Sequence, residues 1–215
     1  YMGYHGAEPD AAVAESLERC AAELQTAVQP KSISARFPLP FIGENTMQIG
    51  DLTVTSANLA RNLRGCTEVY LMAATLGIGA DRLIARASAV RMSDAVILQA
   101  VAAAMIETCC DEVNDALRHM AEREGLYCRP RFSPGYGDCP LTAQRSIVNV
   151  LNATRLIGLT VTPTSLLMPT KSVTAVIGLF DGEVHDAQGR TTCTICRMRE
   201  HCRFRAAHTT CYSSH

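Results

Sequence analysis

The chain has 215 residues, 47% hydrophobic and 19% charged, enough apolar material for one large domain or two small ones with a real core. Its net charge of −1 gives no global electrostatic case for binding nucleic acid or an anionic membrane surface. No apolar run approaches the roughly 20 residues of a membrane span, and Tyr1-Met2-Gly3-Tyr4-His5-Gly6 lacks the apolar stretch of a secretory signal, so a cytoplasmic location is expected.

Pro9 and Asp10 sit where a helix would begin, and Leu17, Cys20, Leu24 and Val28 recur at helical spacing until Pro30. Residues 31–55 alternate in short strand-like runs, with Gly50-Asp51 as the turn between Thr46–Ile49 and Leu52–Thr55. Ser56 is a cap for a short helix that Gly65 ends. Thr67–Leu76 is apolar and β-branched, the pattern of a buried strand. Gly77-Ile78-Gly79 then turns into a helix starting near Ala80. A dinucleotide fingerprint would need a third glycine at position 82, which is Arg82, so the glycines read as easing a tight strand-to-helix turn. Ser93 is the expected N-cap of the longest helix, residues 94–124, closed by Gly125. Within it Glu107 lies among Ala, Met, Ile and Cys, where a charge is costly unless paired. It is a candidate to meet a cationic ligand group or to pair with Arg131. Thr142 is the expected cap of a helix running through Leu151, Val173–Phe180 is strand-like, and Asp181-Gly182 is a turn signal. Helices and mostly antiparallel strands mix without a clean βαβ repeat, which predicts an α+β fold with helices packed on a curved sheet.

The most irregular stretch is Arg131-Phe132-Ser133-Pro134-Gly135-Tyr136-Gly137-Asp138-Cys139-Pro140. Its glycines and prolines exclude a helix or central strand and set an unusual backbone path. Arg131 offers a fork that matches a carboxylate, and Tyr136 a ring beside it. Such a loop suits a small polar ligand.

This loop resembles the S-adenosylmethionine-binding loop of the activation domain of cobalamin-dependent methionine synthase, whose pattern is Arg-Pro-Ala-Pro-Gly-Tyr-Pro-Ala-Cys-Pro. Arg131, Pro134, Gly135, Tyr136, Cys139 and Pro140 fall in register, while Phe132, Ser133, Gly137 and Asp138 depart. Residues 157–162 and Met168-Pro169-Thr170-Lys171-Ser172-Val173-Thr174-Ala175 are similar to two further segments of that domain, and Asp94 and Glu107 align with an acidic pair. The resemblance spans roughly residues 94–180 and looks most like stand-alone relatives of the domain. The chain is expected to have three parts: residues 1–90 as the N-terminal α/β part, 91–185 as the activation-domain-like core with the ligand loop 131–140, and 186–215 as a Cys-rich tail. The resemblance implies S-adenosylmethionine as ligand, with Glu107, Arg131, Gly135, Tyr136, Cys139 and Ser172 at its site, and no catalytic acid or base. The partner would be a cobalamin-binding methionine synthase or other corrinoid protein, reduced through a separate electron donor protein and remethylated. The alternative is an interaction module, or a metal-containing activator of a corrinoid protein, without methyl-donor binding.

Ten cysteines are many for such a chain. Cys20, Cys66, Cys109, Cys110, Cys128 and Cys139 are scattered and read as small core residues. Cys193, Cys196, Cys202 and Cys211 crowd the end with spacing C-x2-C-x5-C-x8-C, dense enough for one tetrathiolate site holding zinc or an iron–sulfur cluster. The methionine synthase domain lacks such a tail, so the resemblance assigns it no role.

Overall fold

The computed structural model describes residues 10–181, which form one compact unit, and the four tail cysteines lie outside the described residues. Helix α1 (Ala11–Ala27) starts where the Asp10 carboxylate accepts from the Val13 N–H at 2.8 Å. Strand β1 (Lys31–Pro38) follows, then a three-stranded meander of β2 (Phe41–Gly43), β3 (Thr46–Ile49) and β4 (Leu52–Thr55). Ser56 caps α2 (Ala57–Asn62), its hydroxyl accepting from the Leu59 N–H. Strand β5 (Glu68–Thr75), helices α3 (Ile78–Val90) and α4 (Met92–Glu122), and the short strand β6 (Leu126–Cys128) come next. Helices α5 (Ala143–Val150) and α6 (Ala153–Ile157), a small ribbon of β7 (Thr160–Val161) and β8 (Leu167–Met168), and β9 (Ser172–Asp181) complete the unit.

The main sheet has the order β1-β5-β9-β6, every pair antiparallel. Its two central strands are buried on both faces, which is why they read as continuous apolar runs rather than alternating ones. In β5, Val69, Leu71 and Ala73 point into a core shared with the meander, α2, α5 and α6, whereas Tyr70, Met72 and Ala74 point into a second core under α1, α3 and α4. The expected α+β class with a mostly antiparallel sheet is what the chain adopts. Helices cover one face, and the meander with shorter helices covers the other.

Several boundaries differ from the sequence expectation. Helix α4 begins at Met92, so Ser93 lies inside its first turn, and extended Arg91 occupies the cap position without a side-chain cap. Only that one residue separates α3 from α4, which leaves no room for a capping turn at Ser93. Thr142 likewise makes no side-chain cap; the Ala143 and Gln144 N–H groups go to the carbonyls of Pro140 and Leu141. Helix α4 is also long and apolar enough, with a mean hydropathy of 1.4 over its best window, to cross a membrane by length and composition. The sequence reading missed this because scattered polar residues break the run, while the surrounding Ala, Val, Ile and Met hold the average high. In the fold this helix lies against α1, α3 and the sheet.

The Gly77-x-Gly79 turn is structural. Gly77 has φ +80°, a region that disfavours any side chain. A Cβ at Gly79 would sit 1.8 Å from the Ala27 carbonyl oxygen, because the start of α3 is pressed onto the end of α1. Gly79→Ala is expected to destabilise the protein by about 2–3 kcal/mol, since backbone cannot yield as a flexible side chain does. Denaturant unfolding of the variant against the wild type checks this.

Candidate functional site

After β6 the chain continues along β9 for a short distance. The Arg129 N–H donates to the Gly178 carbonyl at 2.8 Å, and Phe132 exchanges both backbone hydrogen bonds with Val176. Three residues on the loop side thus span two on β9, a bulge of the kind that re-aims a side chain. Pro130 and Arg131 lie within this bulge. Beyond Phe132 the same register would set Pro134 opposite Thr174, and proline has no N–H to offer. The ladder stops there among the described residues, and the loop lifts away from β9.

A cleft of about 360 Å3 lies at this opening, within the ordinary range of small-molecule sites (about 300–1,000 Å3). Glu107, Arg131, Tyr136 and Ser172 all line it, so four of the six residues expected at a ligand site share one cavity. Gly135 shapes the loop instead: its φ is +91°, and its N–H donates to the Cys139 carbonyl at 3.0 Å. The Cys139 side chain is buried in the core rather than turned to the cleft, and burial pushes its thiol up to about 11. Its part in the loop is that backbone carbonyl. Ser172 is committed to the framework, its hydroxyl 2.7 Å from both the Pro169 carbonyl and the Thr75 hydroxyl. Tyr136 stands at the mouth, 70% exposed, its ring free to cover a ligand.

Arg131 is the electrostatic centre. One of its terminal nitrogens, Nη2, lies 2.8 Å from an Asp111 oxygen and 3.3 Å from a Glu107 oxygen. The other, Nη1, is enclosed and has no hydrogen-bond partner among the described residues. The Arg131 side chain as a whole is 22% exposed and lines the cleft, where a guanidinium can meet a carboxylate. Glu107 itself is 48% exposed, contrary to the expectation from its apolar sequence neighbours. Ile106 and Cys110 face the core beneath α4, and Glu107 sits at the flank of that face and lines the cleft. Its companion is Asp111, one helical turn on, and not Asp94. Asp94 lies 13 residues away, about 20 Å along the helix, and is held by Arg19 at 3.0 Å and Arg91 at 3.6 Å.

Sequence reasoning missed Asp111 and Gln144. The i,i+4 spacing from Glu107 was a legible signal for Asp111. Gln144 carried none: it is buried, donates from Nε2 to the Ser165 carbonyl at 2.7 Å and accepts from the Thr174 hydroxyl at 3.4 Å, closing the floor of the cleft. The scattered cysteines behave as expected of core residues. All six are unpaired, and burial raises the pKa of each, Cys110 beneath Arg131 to about 12. No group of three metal-ligating side chains occurs among the described residues. A larger groove of about 510 Å3 runs between α1 and α3, but no expected site residue lines it, and its acid, Glu23, already pairs with Arg19 and Arg86.

No protein-family model matches the chain, and no curated protein matches it. Among solved structures it is similar to the crystal structure of the MetH reactivation domain bound to AdoHcy, with a TM-score of 0.62 at 18% identity, covering 83% of this chain and 69% of that one. The chain therefore has the fold of a methionine synthase reactivation domain.

Two of the four loop positions that depart from the resembling pattern, Gly137 and Asp138, have a common purpose. The Asp138 carboxylate accepts from the Ser56 hydroxyl (2.5 Å), the Ala57 N–H (2.7 Å), the Asn58 N–H (3.0 Å) and the Asn58 side-chain amide (2.9 Å). Gly137, at φ +59°, lets the loop come this close: a Cβ there would meet the Asn58 side chain at 2.8 Å. The Ser56 hydroxyl first, then the Asn58 amide and the backbone N–H groups, hold the Asp138 carboxyl well below the usual carboxylate range. A depressed carboxylate pKa gives stability that is complete above the unfolded value near ~4 and is lost only as pH falls through the folded one. The loop clamp is therefore intact throughout mildly acidic and neutral pH. Asp138→Ala is expected to raise amide hydrogen exchange across residues 131–139 at pH 5 and pH 7 alike, leaving β9 protected; mass-resolved exchange of both proteins is the measurement.

Proposed function

We propose that the chain is a reactivation subunit for a separate cobalamin-dependent methionine synthase, binding S-adenosylmethionine in the cleft at the β9 edge. The observation that carries this reading is one cleft that brings together Arg131, Glu107 and Tyr136. Arg131 would bind the ligand carboxylate, Glu107 would face its positive groups, and Tyr136 would close over ligand or corrin. The chain's task in this reading is positioning: it sets a sulfonium methyl in line with the cobalt of the partner's corrin. The partner's cobalt, once reduced by one electron from a donor protein, would supply the bonding pair for the methyl, and the carbon–sulfur bond would leave its pair on sulfur. No general base is needed at the carbon.

Arg131→Ala is expected to weaken S-adenosylmethionine binding by about 10- to 100-fold, as loss of charge-assisted hydrogen bonds worth roughly 1.5–3 kcal/mol implies. Arg131→Lys should lose affinity as well, because an ammonium cannot reproduce the fork. Calorimetric titration with a thermal melt of each variant checks both. Unchanged affinity in a folded Arg131→Ala protein would remove the site.

The spacing of Cys193, Cys196, Cys202 and Cys211 supports a second element in the same protein, a tetrathiolate centre of zinc or an iron–sulfur cluster. Protein purified with oxygen excluded should then carry stoichiometric zinc or iron, and Cys193→Ser or Cys202→Ser should release most of it while the melt of the main unit stays unchanged. Elemental analysis beside sulfide determination reads the outcome.

A further inference from the structure

The main sheet has two outer edges, and they are treated differently. At the cleft end β6 is three residues long, and the loop after it carries a bulge and then Pro134. The other edge is β1, whose eight residues pair with β5 in one register without a break. The Leu76 N–H donates to the Lys171 carbonyl at 2.9 Å, so the even-numbered residues of β5 bond to β9 and the odd-numbered ones to β1. The Leu39 N–H, donating to the Thr67 carbonyl at 2.9 Å, has the same parity. Odd positions of β5 stand opposite Lys31, Ile33, Ala35 and Phe37. The backbone N–H and C=O groups of Ser32, Ser34 and Arg36 therefore point outward, and none has a partner among the described residues.

Proteins guard such an edge with a short strand, a bulge, a proline or a charge. Here the proline, Pro38, comes last and Lys31 first, and the Arg36 guanidinium is turned to Glu68 and Glu124. We infer that a second copy of this chain covers the edge, its β1 pairing antiparallel with this one about a two-fold axis at Ala35. Two four-stranded sheets then become one continuous sheet. The strand is complementary to itself in that register. Ile33 faces Phe37 of the other copy, on the side where both pack only in part against the core. On that side α6 lies against β1 and carries Leu156, 51% exposed, so the apolar cover extends past the strands. Ser34 and Arg36 of the two copies exchange backbone hydrogen bonds. The Ser32 N–H meets the Pro38 carbonyl, which proline still offers. No two cations are opposed. The cleft lies beside β9, toward the opposite edge of the sheet. One strand pair with an apolar flank is at the small end of stable interfaces, about 1,200 Å2, so dissociation is expected at micromolar concentration.

Sedimentation velocity of the full chain, with its thiols kept reduced, should show the mass rising from one chain to two between submicromolar and high micromolar concentration. Ser34→Pro and Ser32→Pro each remove an outward N–H that takes no part in the β1–β5 ladder, so the melt at low concentration should barely change. Either should raise the dissociation constant by about 10-fold or more. Amide exchange read by NMR tests the geometry: Ser32, Ser34 and Arg36 should slow as the dimer forms, while Ile33, Ala35 and Phe37 are slow throughout. A chain that is monomeric at every concentration overturns the inference, including one in which its own residues protect those three amides. A dimer of unchanged affinity in whichever proline variant folds also overturns it, because the copies then meet elsewhere.

Discussion

The site depends on an incomplete strand pairing. Strand β9 is buried on both faces and paired with β5 from Ser172 to Leu179, which fixes it within the sheet; on its other edge β6 covers only its last three residues. Beyond these the loop contributes a bulge and a single bridge at Phe132 before Pro134 ends the ladder. An interior strand with an unpaired edge is normally a liability, and proteins cover such edges with loops or helices. Here the covering loop stands away from β9 far enough to leave a cavity between them. Arg131 lies within the same bulge and meets the carboxylates of α4. The cavity and its cation thus arise at one place in the ladder.

A loop carrying two glycines and two prolines would be floppy if nothing else held it, and floppiness lowers affinity because ordering must then accompany binding. The structure answers this at two places. Asp138 fastens one wall of the cleft to the start of α2, where backbone N–H groups need an acceptor in any case. On the other wall, Asp81 in the first turn of α3 accepts from the Thr170 N–H at 2.9 Å and from its hydroxyl, fixing the turn that leads into Ser172. Both carboxylates serve the scaffold rather than a ligand. Gly137 and Asp138, two of the four departures from the resembling pattern, are an alternative way of holding the loop still, and they leave the cleft-lining positions Arg131 and Tyr136 undisturbed.

Much of the fold was legible because its signals are local. Asp10 and Ser56 cap the helices they precede, the Gly50-Asp51 turn joins the strands expected, and Gly125, with φ +73°, stops α4. The buried run of β5 needed only its composition. The expectations that failed were at junctions where two elements compete for the same residues: Ser93 between α3 and α4, and Thr142 after a turn already bonded through Pro140 and Leu141. Strand β6, three residues long, has too little pattern to be read without its partner.

The sequence by itself determined which chemistry was on offer: a forked cation, an exposed ring, a nearby acid, and a loop whose backbone could be neither helix nor central strand. Residue type and spacing settle that much, since Gly, Pro and Arg act through their own covalent structure. Tertiary structure alone decided which groups meet. It set Glu107 outward rather than into the core, gave Arg131 to Asp111 instead of leaving it to Glu107 alone, sent Asp94 to the α1 side, and buried Cys139 beneath the loop it belongs to. Those outcomes follow from the rotation of α4 against the sheet and from one extra residue in the β6–β9 register. Both are set by packing between segments far apart in the chain, so no local pattern records them.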